Sequence, residues 1–240
     1  MTWLFALLFV TVGAALQRVT GLGFTLVSGP LLVLVLDPFN GIALANILSA
    51  VIAALVLART FRNADWRAVG TLLAGIAVGL PLGALVVHSL PPEILLIVVG
   101  SLTGLAVLLA LLRRSTRIFA GRLGTISAGA LSGFSNVTAG VGGPALALYG
   151  VAAAMPMQVF IPTVQAVGLA TNLLSVAAKP QMAVPLPLLL GSLGCIAAGL
   201  AIGSLLQGRI PARRAQVLAL ALALLGSAAA TARGVIALLA

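Results

Sequence analysis

Ser135-Asn136-Val137-Thr138-Ala139-Gly140-Val141-Gly142-Gly143-Pro144 interrupts an apolar segment that runs from Gly124 to Ala154. A shorter run of the same kind, Thr20-Gly21-Leu22-Gly23, interrupts the segment from Leu4 to Leu36, which also carries Arg18. Glycine costs about 1 kcal/mol in a helix interior and proline about 3, so both runs break their helices. Each segment is too long for one span of about 20 residues and too short for two full spans with a loop. The expected form is a re-entrant hairpin, a helix that enters the membrane and turns back, with its tip near the bilayer midplane.

A membrane is required by composition. Of 240 residues, 62% are hydrophobic and only 7% are charged, against about 25% charged in soluble domains. That excludes a soluble enzyme, a disordered chain and a free nucleic-acid binder. Uncharged intervals mark full spans at Pro38 to Ala58, Ala68 to Val87, Ile94 to Leu112, Pro180 to Gly208 and Ala215 to Ala232. The expected class is therefore an all-α polytopic protein of the cytoplasmic membrane, with the lipid bilayer as its surroundings. The net charge of +10 does not indicate nucleic acid. Its residues fall in short clusters between apolar runs: Arg59, Arg62 and Arg67; Arg113, Arg114, Arg117 and Arg122; Arg209, Arg213 and Arg214. Cytoplasmic loops have that pattern. Met1-Thr2-Trp3 lacks the basic start of a secretory signal, so Trp3 to Leu16 reads as part of the mature membrane domain.

The chain repeats itself at a shift of about 119 residues. Gly21 falls on Gly140, Gly23 on Gly142, Asn46 on Gln165, Gly75 on Gly194, Pro92 on Pro211 and Arg114 on Arg233. The reading is two homologous halves, 1–119 and 120–240, within one membrane domain. Each holds a broken helix pair and three transmembrane helices. If the broken segments are hairpins, the halves are inverted and the three clusters share one side, which places ten of the thirteen Lys and Arg in the cytoplasm. If each broken segment crosses once, the halves are parallel and the count falls to eight. The positive-inside rule favours inversion, with both termini, Asp37, Glu93, Lys179 and Arg233 toward the other face. Internal repeats with matching interrupted helices are a mark of secondary transporters.

Two such tips meeting would enclose a polar cavity, since lipid cannot satisfy non-helical backbone. Helices that start near Gly23 and Gly142 would aim free N–H groups and partial positive charge into it, which suits an anion. Gly21 and Gly140 would allow close backbone approach. Arg18 reads either as an oxyanion-binding guanidinium or as a side chain that snorkels to the interface. Asn46 and Gln165 offer amides on equivalent helices, for substrate or for interhelical bonding. Thr20, Ser135, Asn136 and Thr138 serve the substrate or the broken helix ends, and Asn172 reads as structural. His88 reads as an exposed loop-edge residue beside Glu93. Gly75, Gly79 and Gly83 read as a close-packing stripe, internal or at a homodimer face. Cys195, the only cysteine, reads as an apolar filler. The chain shows neither a metal-ligand cluster nor a phosphate loop, so no cofactor is expected. No nucleophile, acid and base gather as an enzyme requires.

These motifs resemble the TauE/SafE family, the sulfite exporter or toluene-sulfonate-uptake family. The resemblance rests on Thr20-Gly21-Leu22-Gly23-Phe24 with Pro30-Leu31-Leu32, and on Leu131-Ser132-Gly133-Phe134 with Gly140-Val141-Gly142-Gly143-Pro144. It covers essentially the whole chain. Phe24 and Thr25 stand where the family continues with more glycine, and Arg18 has no counterpart in its general pattern. The resemblance implies export or uptake of sulfite, sulfoacetate, other sulfonates or organic anions, driven by a coupling ion, H+ or Na+. The alternatives are an anion channel and the membrane subunit of a multi-component transporter.

Overall fold

The computed structural model describes residues 2–20, 24–112 and 119–239. Among them the chain forms ten α-helices: α1 (Thr2–Thr20), α2 (Phe24–Val35), α3 (Pro38–Thr60), α4 (Trp66–Ser89), α5 (Pro92–Leu112), α6 (Gly121–Ala139), α7 (Gly143–Ala152), α8 (Met157–Ala177), α9 (Leu186–Leu206) and α10 (Ala212–Leu239). Seven of these, α1, α3, α4, α5, α8, α9 and α10, are long and apolar enough to cross a membrane. The protein is an all-α polytopic membrane protein. Of these seven, α1 and α8 fall outside the uncharged intervals that mark full spans in the sequence.

Local chemistry explains the boundaries. Asp37 caps α3 by accepting from the Asn40 N–H, with Pro38 in the first turn. Asp65 caps α4 by accepting from the N–H groups of Arg67 and Ala68. At the end of α6, Gly140 turns left-handed (φ +73°), its N–H donates to the Asn136 carbonyl, and the Val141 N–H reaches back to Ser135. Glycine adopts that conformation without the steric cost other residues meet.

Each broken pair folds back on itself. In the first, Ser28 Oγ donates to the Phe9 carbonyl at 3.1 Å, and Gly13 lies against Phe24 and Ser28. In the second, Gly142 lies against Ser132 and Asn136, and the Tyr149 side chain bonds Thr125. The limbs are unequal, however. α1 and α6 each have 19 residues, about 28 Å of helix and close to the full hydrocarbon thickness of about 30 Å. Only the returning limbs, of 12 and 10 residues, are half-length. The turn at Gly140–Gly142 thus follows 19 helical residues and precedes only 10.

The helix order recurs. The starts of α1 and α6 (Thr2, Gly121), α2 and α7 (Phe24, Gly143), and α3 and α8 (Pro38, Met157) each differ by 119. The most extensive contacts are α4 with α6, α5 with α10, α1 with α9 and α3 with α8. Exchanging the halves maps this set onto itself, because α4 and α6 correspond to α9 and α1. Small residues allow the closest contacts. A Cβ at Gly75 would lie 2.0 Å from the Ile126 carbonyl oxygen, and one at Gly79 would lie 1.9 Å from that of Ala130. The Gly75–Gly79–Gly83 stripe is thus internal, between α4 and α6. Large apolar side chains such as Leu85, Leu105, Leu190 and Leu225 point outward, as lipid contact requires.

The turn between α3 and α4 (Arg59, Arg62, Arg67), the start of α6 (Arg122) and the turn between α9 and α10 (Arg209, Arg213, Arg214) gather at one end. Asp37, His88, Glu93, Lys179 and Arg233 lie at the opposite end. That end is tied across by His88 Nε2 with the Ala178 carbonyl at 2.8 Å, by the Ala183 N–H to Asn40 Oδ1 at 2.7 Å, and by Arg233 Nη1 to the Leu34 carbonyl at 2.6 Å.

Candidate substrate cavity

A cavity of about 620 Å³ lies among the broken pairs and the helices around them. Its polar wall comes from Gln17 of α1, Thr25 of α2, Ser49 of α3, Ser132 and Asn136 of α6, Gln165, Thr171 and Asn172 of α8, and Gln216 of α10. Apolar side chains such as Leu26, Leu146 and Phe160 complete it. None of the described lining residues is charged. The wall reaches Leu109, Phe160 and Gln216, toward the arginine-bearing end.

The start of α7 forms part of this wall through Gly142, Gly143 and Pro144. No side chain caps it, so the positive end of its dipole borders the space without a side-chain acceptor. The glycines have separate reasons. A Cβ at Gly142 would lie 2.8 Å from Ser132 Oγ, whereas one at Gly143 would meet nothing within 4 Å. The first glycine lets α7 close on α6, and the second leaves backbone open to a ligand.

A buried chain of hydrogen bonds holds the wall beside it. Asn136 Nδ2 donates to Asn172 Oδ1 at 3.0 Å, and Ser175 Oγ donates to Asn136 Oδ1 at 2.6 Å. Both ends of the Asn136 amide are satisfied. The Asn172 Nδ2 group remains as a donor on the cavity side. Gln17, 119 residues before Asn136, occupies the equivalent place on α1, and its Oε1 has no partner among the described residues.

Of the sequence candidates, Asn136, Gly142 and Gln165 come together in this wall. Gly21 and Gly23 lie outside the described residues. Gly140 shapes the turn and meets Asn46 and Thr25 just off the wall. Asn46 is fully buried, and neither its Oδ1 nor its Nδ2 has a partner among the described residues. Ser135 and Thr138 donate back to the Leu131 and Phe134 carbonyls of their own helix and do not line the space. Thr20 donates to Leu16 at the end of α1. Arg18 is exposed, packs beside Gly203 in the last turn of α9, and does not line the cavity. It sits at the arginine-bearing end, where a snorkelling guanidinium stays hydrated.

Asn172, which reads as structural in the sequence, lines the cavity, as do Ser132, Thr171 and Gln216, which no sequence pattern proposes for the site. A usable signal existed on α8, because Gln165, Gly168 and Asn172 recur at helical spacing on one face. Lys179, at the end opposite the arginine clusters, is fully buried.

Comparison with known proteins supports this architecture. The family described as Sulfite exporter TauE/SafE matches residues 5–230. Neither the curated proteins nor the solved structures compared give a match. The chain belongs to the TauE/SafE family, whose members are membrane transporters rather than enzymes.

Proposed function

We propose that this TauE/SafE family member is a secondary transporter that moves a small sulfur-containing or organic anion, such as sulfite or a sulfonate, by alternating access. The observation that carries the reading is the cavity wall. It joins an uncapped helix start at Gly142–Gly143 to a set of uncharged hydroxyl and amide groups. A dipole and neutral donors can hold an anion without a fixed charge that would trap it. Release must be as easy as binding in a transport cycle.

The 119-residue recurrence of helix starts supports two inverted halves, 1–119 and 120–240, as the moving parts. In that topology the arginine-bearing end is cytoplasmic, and the cavity faces the cytoplasm while the other end is tied shut. Purified protein in proteoliposomes tests the function. Counterflow of labelled sulfite, methanesulfonate, sulfoacetate and acetate should be saturable for at least one anion. Flux that does not saturate, or unitary currents in planar bilayers, would point to a channel.

A further inference from the structure

Twelve of the thirteen cationic side chains are arginine, and Lys179 is the only lysine. Arginine does not lose its proton in proteins, whereas lysine can. This one titratable cation is also fully buried. Its Nζ donates to the Ser175 carbonyl at 3.2 Å, and no carboxylate pairs with it among the described residues. An ammonium has three N–H groups, so burial leaves most of its hydrogen-bonding capacity unmet. Capping the end of α8 accounts for one of those bonds but not for the choice of lysine or for its enclosure.

The elements packed against α8 bring few other charges near. From α4 comes His88, which bonds the neighbouring Ala178 carbonyl. The N-cap of α3 is Asp37, whose carboxylate is held by Asn40. α6 brings the neutral Asn136, and its Arg122 lies at the far end. Tyr149 of α7 and Arg62, in the turn after α3, are also at the far end. Desolvation consequently lowers the Lys179 pKa from 10.5 to about 7.

Lys179 also adjoins a hydrogen-bond chain that ends in the cavity wall. It bonds the Ser175 backbone carbonyl, while the Ser175 hydroxyl bonds Asn136, which bonds Asn172 in the wall. Asn172, Ser175 and Lys179 share one face of α8 and its extension. We propose that Lys179 is the proton-coupling site of this transporter, taking up a proton when an anion occupies the cavity and returning it when the anion leaves. The proposal rests on the transport reading above. The proton comes from water at the end held by His88–Ala178 and Asn40–Ala183, when those ties part, and adds to the amine lone pair. When the anion leaves, the proton leaves the same nitrogen to water of the cavity, on the arginine-bearing side. Asn172 and Lys179 are seven residues apart, about 10 Å along the axis. At that distance a monoanion raises proton affinity about tenfold, one pH unit. By reciprocity the proton raises anion affinity equally.

A single lysine permits a direct test on the full chain. Protein labelled with 13C at lysine Cε gives one lysine resonance. Its titration midpoint should lie near neutrality and rise by about one pH unit with methanesulfonate, which stays a monoanion throughout this range. A midpoint near the ordinary lysine value, or one that methanesulfonate leaves unmoved, would overturn the proposal. Transport provides the second readout. In wild-type proteoliposomes a pH gradient, acid outside, should drive methanesulfonate accumulation. Lys179→Met should retain counterflow without a gradient and lose that accumulation. A variant that still accumulates under the gradient, or loses counterflow as well, refutes the coupling role. Wild-type vesicles lacking methanesulfonate counterflow would instead remove the transport premise, and the proposal with it.

Discussion

Replacing Asn46 with leucine should make the protein more stable and less active. Asn46 is fully buried on α3 beside Gly140 and Thr25, and both polar atoms of its amide lack partners. Each unsatisfied buried polar atom costs about 1–3 kcal/mol. Leucine is of similar volume and carries neither atom, so Asn46→Leu should recover up to about 2–6 kcal/mol. For a chain of this length each kcal/mol corresponds to roughly 2–4 °C in melting temperature, which makes the shift readily measurable. Cys195, the only cysteine and partly buried, gives the assay. A dye that fluoresces on reacting with a newly exposed thiol follows unfolding in detergent. Anion counterflow should fall in the same variant, because on the transport reading the amide serves a state in which it faces the substrate. Asn172→Leu is the control. It strands the donor of Asn136 and should melt earlier than wild type. Should Asn46→Leu lower the melting temperature, or leave counterflow intact, the inference from an orphaned amide to a functional one fails.

Three further outcomes follow from the packing and the charges. Gly79→Val places a Cβ 1.9 Å from the Ala130 carbonyl oxygen and should abolish monodisperse protein on size-exclusion chromatography, whereas Gly70→Ala, with nothing within 4 Å, should elute as wild type. Arg18→Ala should leave the KM for counterflow within about twofold of wild type, since the side chain is exposed and off the cavity wall; a tenfold loss would put Arg18 back in the substrate path. Stability should also depend on pH through Lys179. Its folded pKa of about 7 lies below the ordinary 10.5, so between those values the unfolded chain binds more protons and stability rises with pH. Below about pH 7 both states are protonated and the burial penalty is complete. Lys179→Met should remove this slope from melting curves recorded between pH 7 and 10.

What the sequence reveals here is what depends on neighbours in the chain. The helix break at Gly140 is legible because a left-handed cap needs glycine, and Gly142-Gly143-Pro144 follows within a turn. The 119-residue repeat is legible because it is linear. The cavity wall is only partly legible, since Asn136 meets Asn172 and Ser175 across 36 and 39 residues, and no local pattern announces that meeting. Arg18 misleads for a related reason. Counting seventeen uncharged residues before it suggests mid-membrane depth, but the depth depends on how far α1 runs, and α1 runs a full span to Gly203 of α9.

The unequal surroundings of Asn46 and Gln165 carry the argument one step further. The repeat makes them equivalent, yet Gln165 lines the cavity while Asn46 is sealed without partners. A symmetric protein at rest would treat both alike. A transporter built from two exchanging halves cannot, because in any one state only one half exposes its amide to the substrate path. In the proposed two-half cycle, Asn46 would acquire the open surroundings that Gln165 has here, and Gln165 would become enclosed. The stability given up at Asn46 in this state would then keep the opposite state accessible. The burial of Lys179 belongs to the same asymmetry. It lies at the closed end, behind the ties of His88 and Asn40, and the exchange that frees Asn46 would also open Lys179 to water.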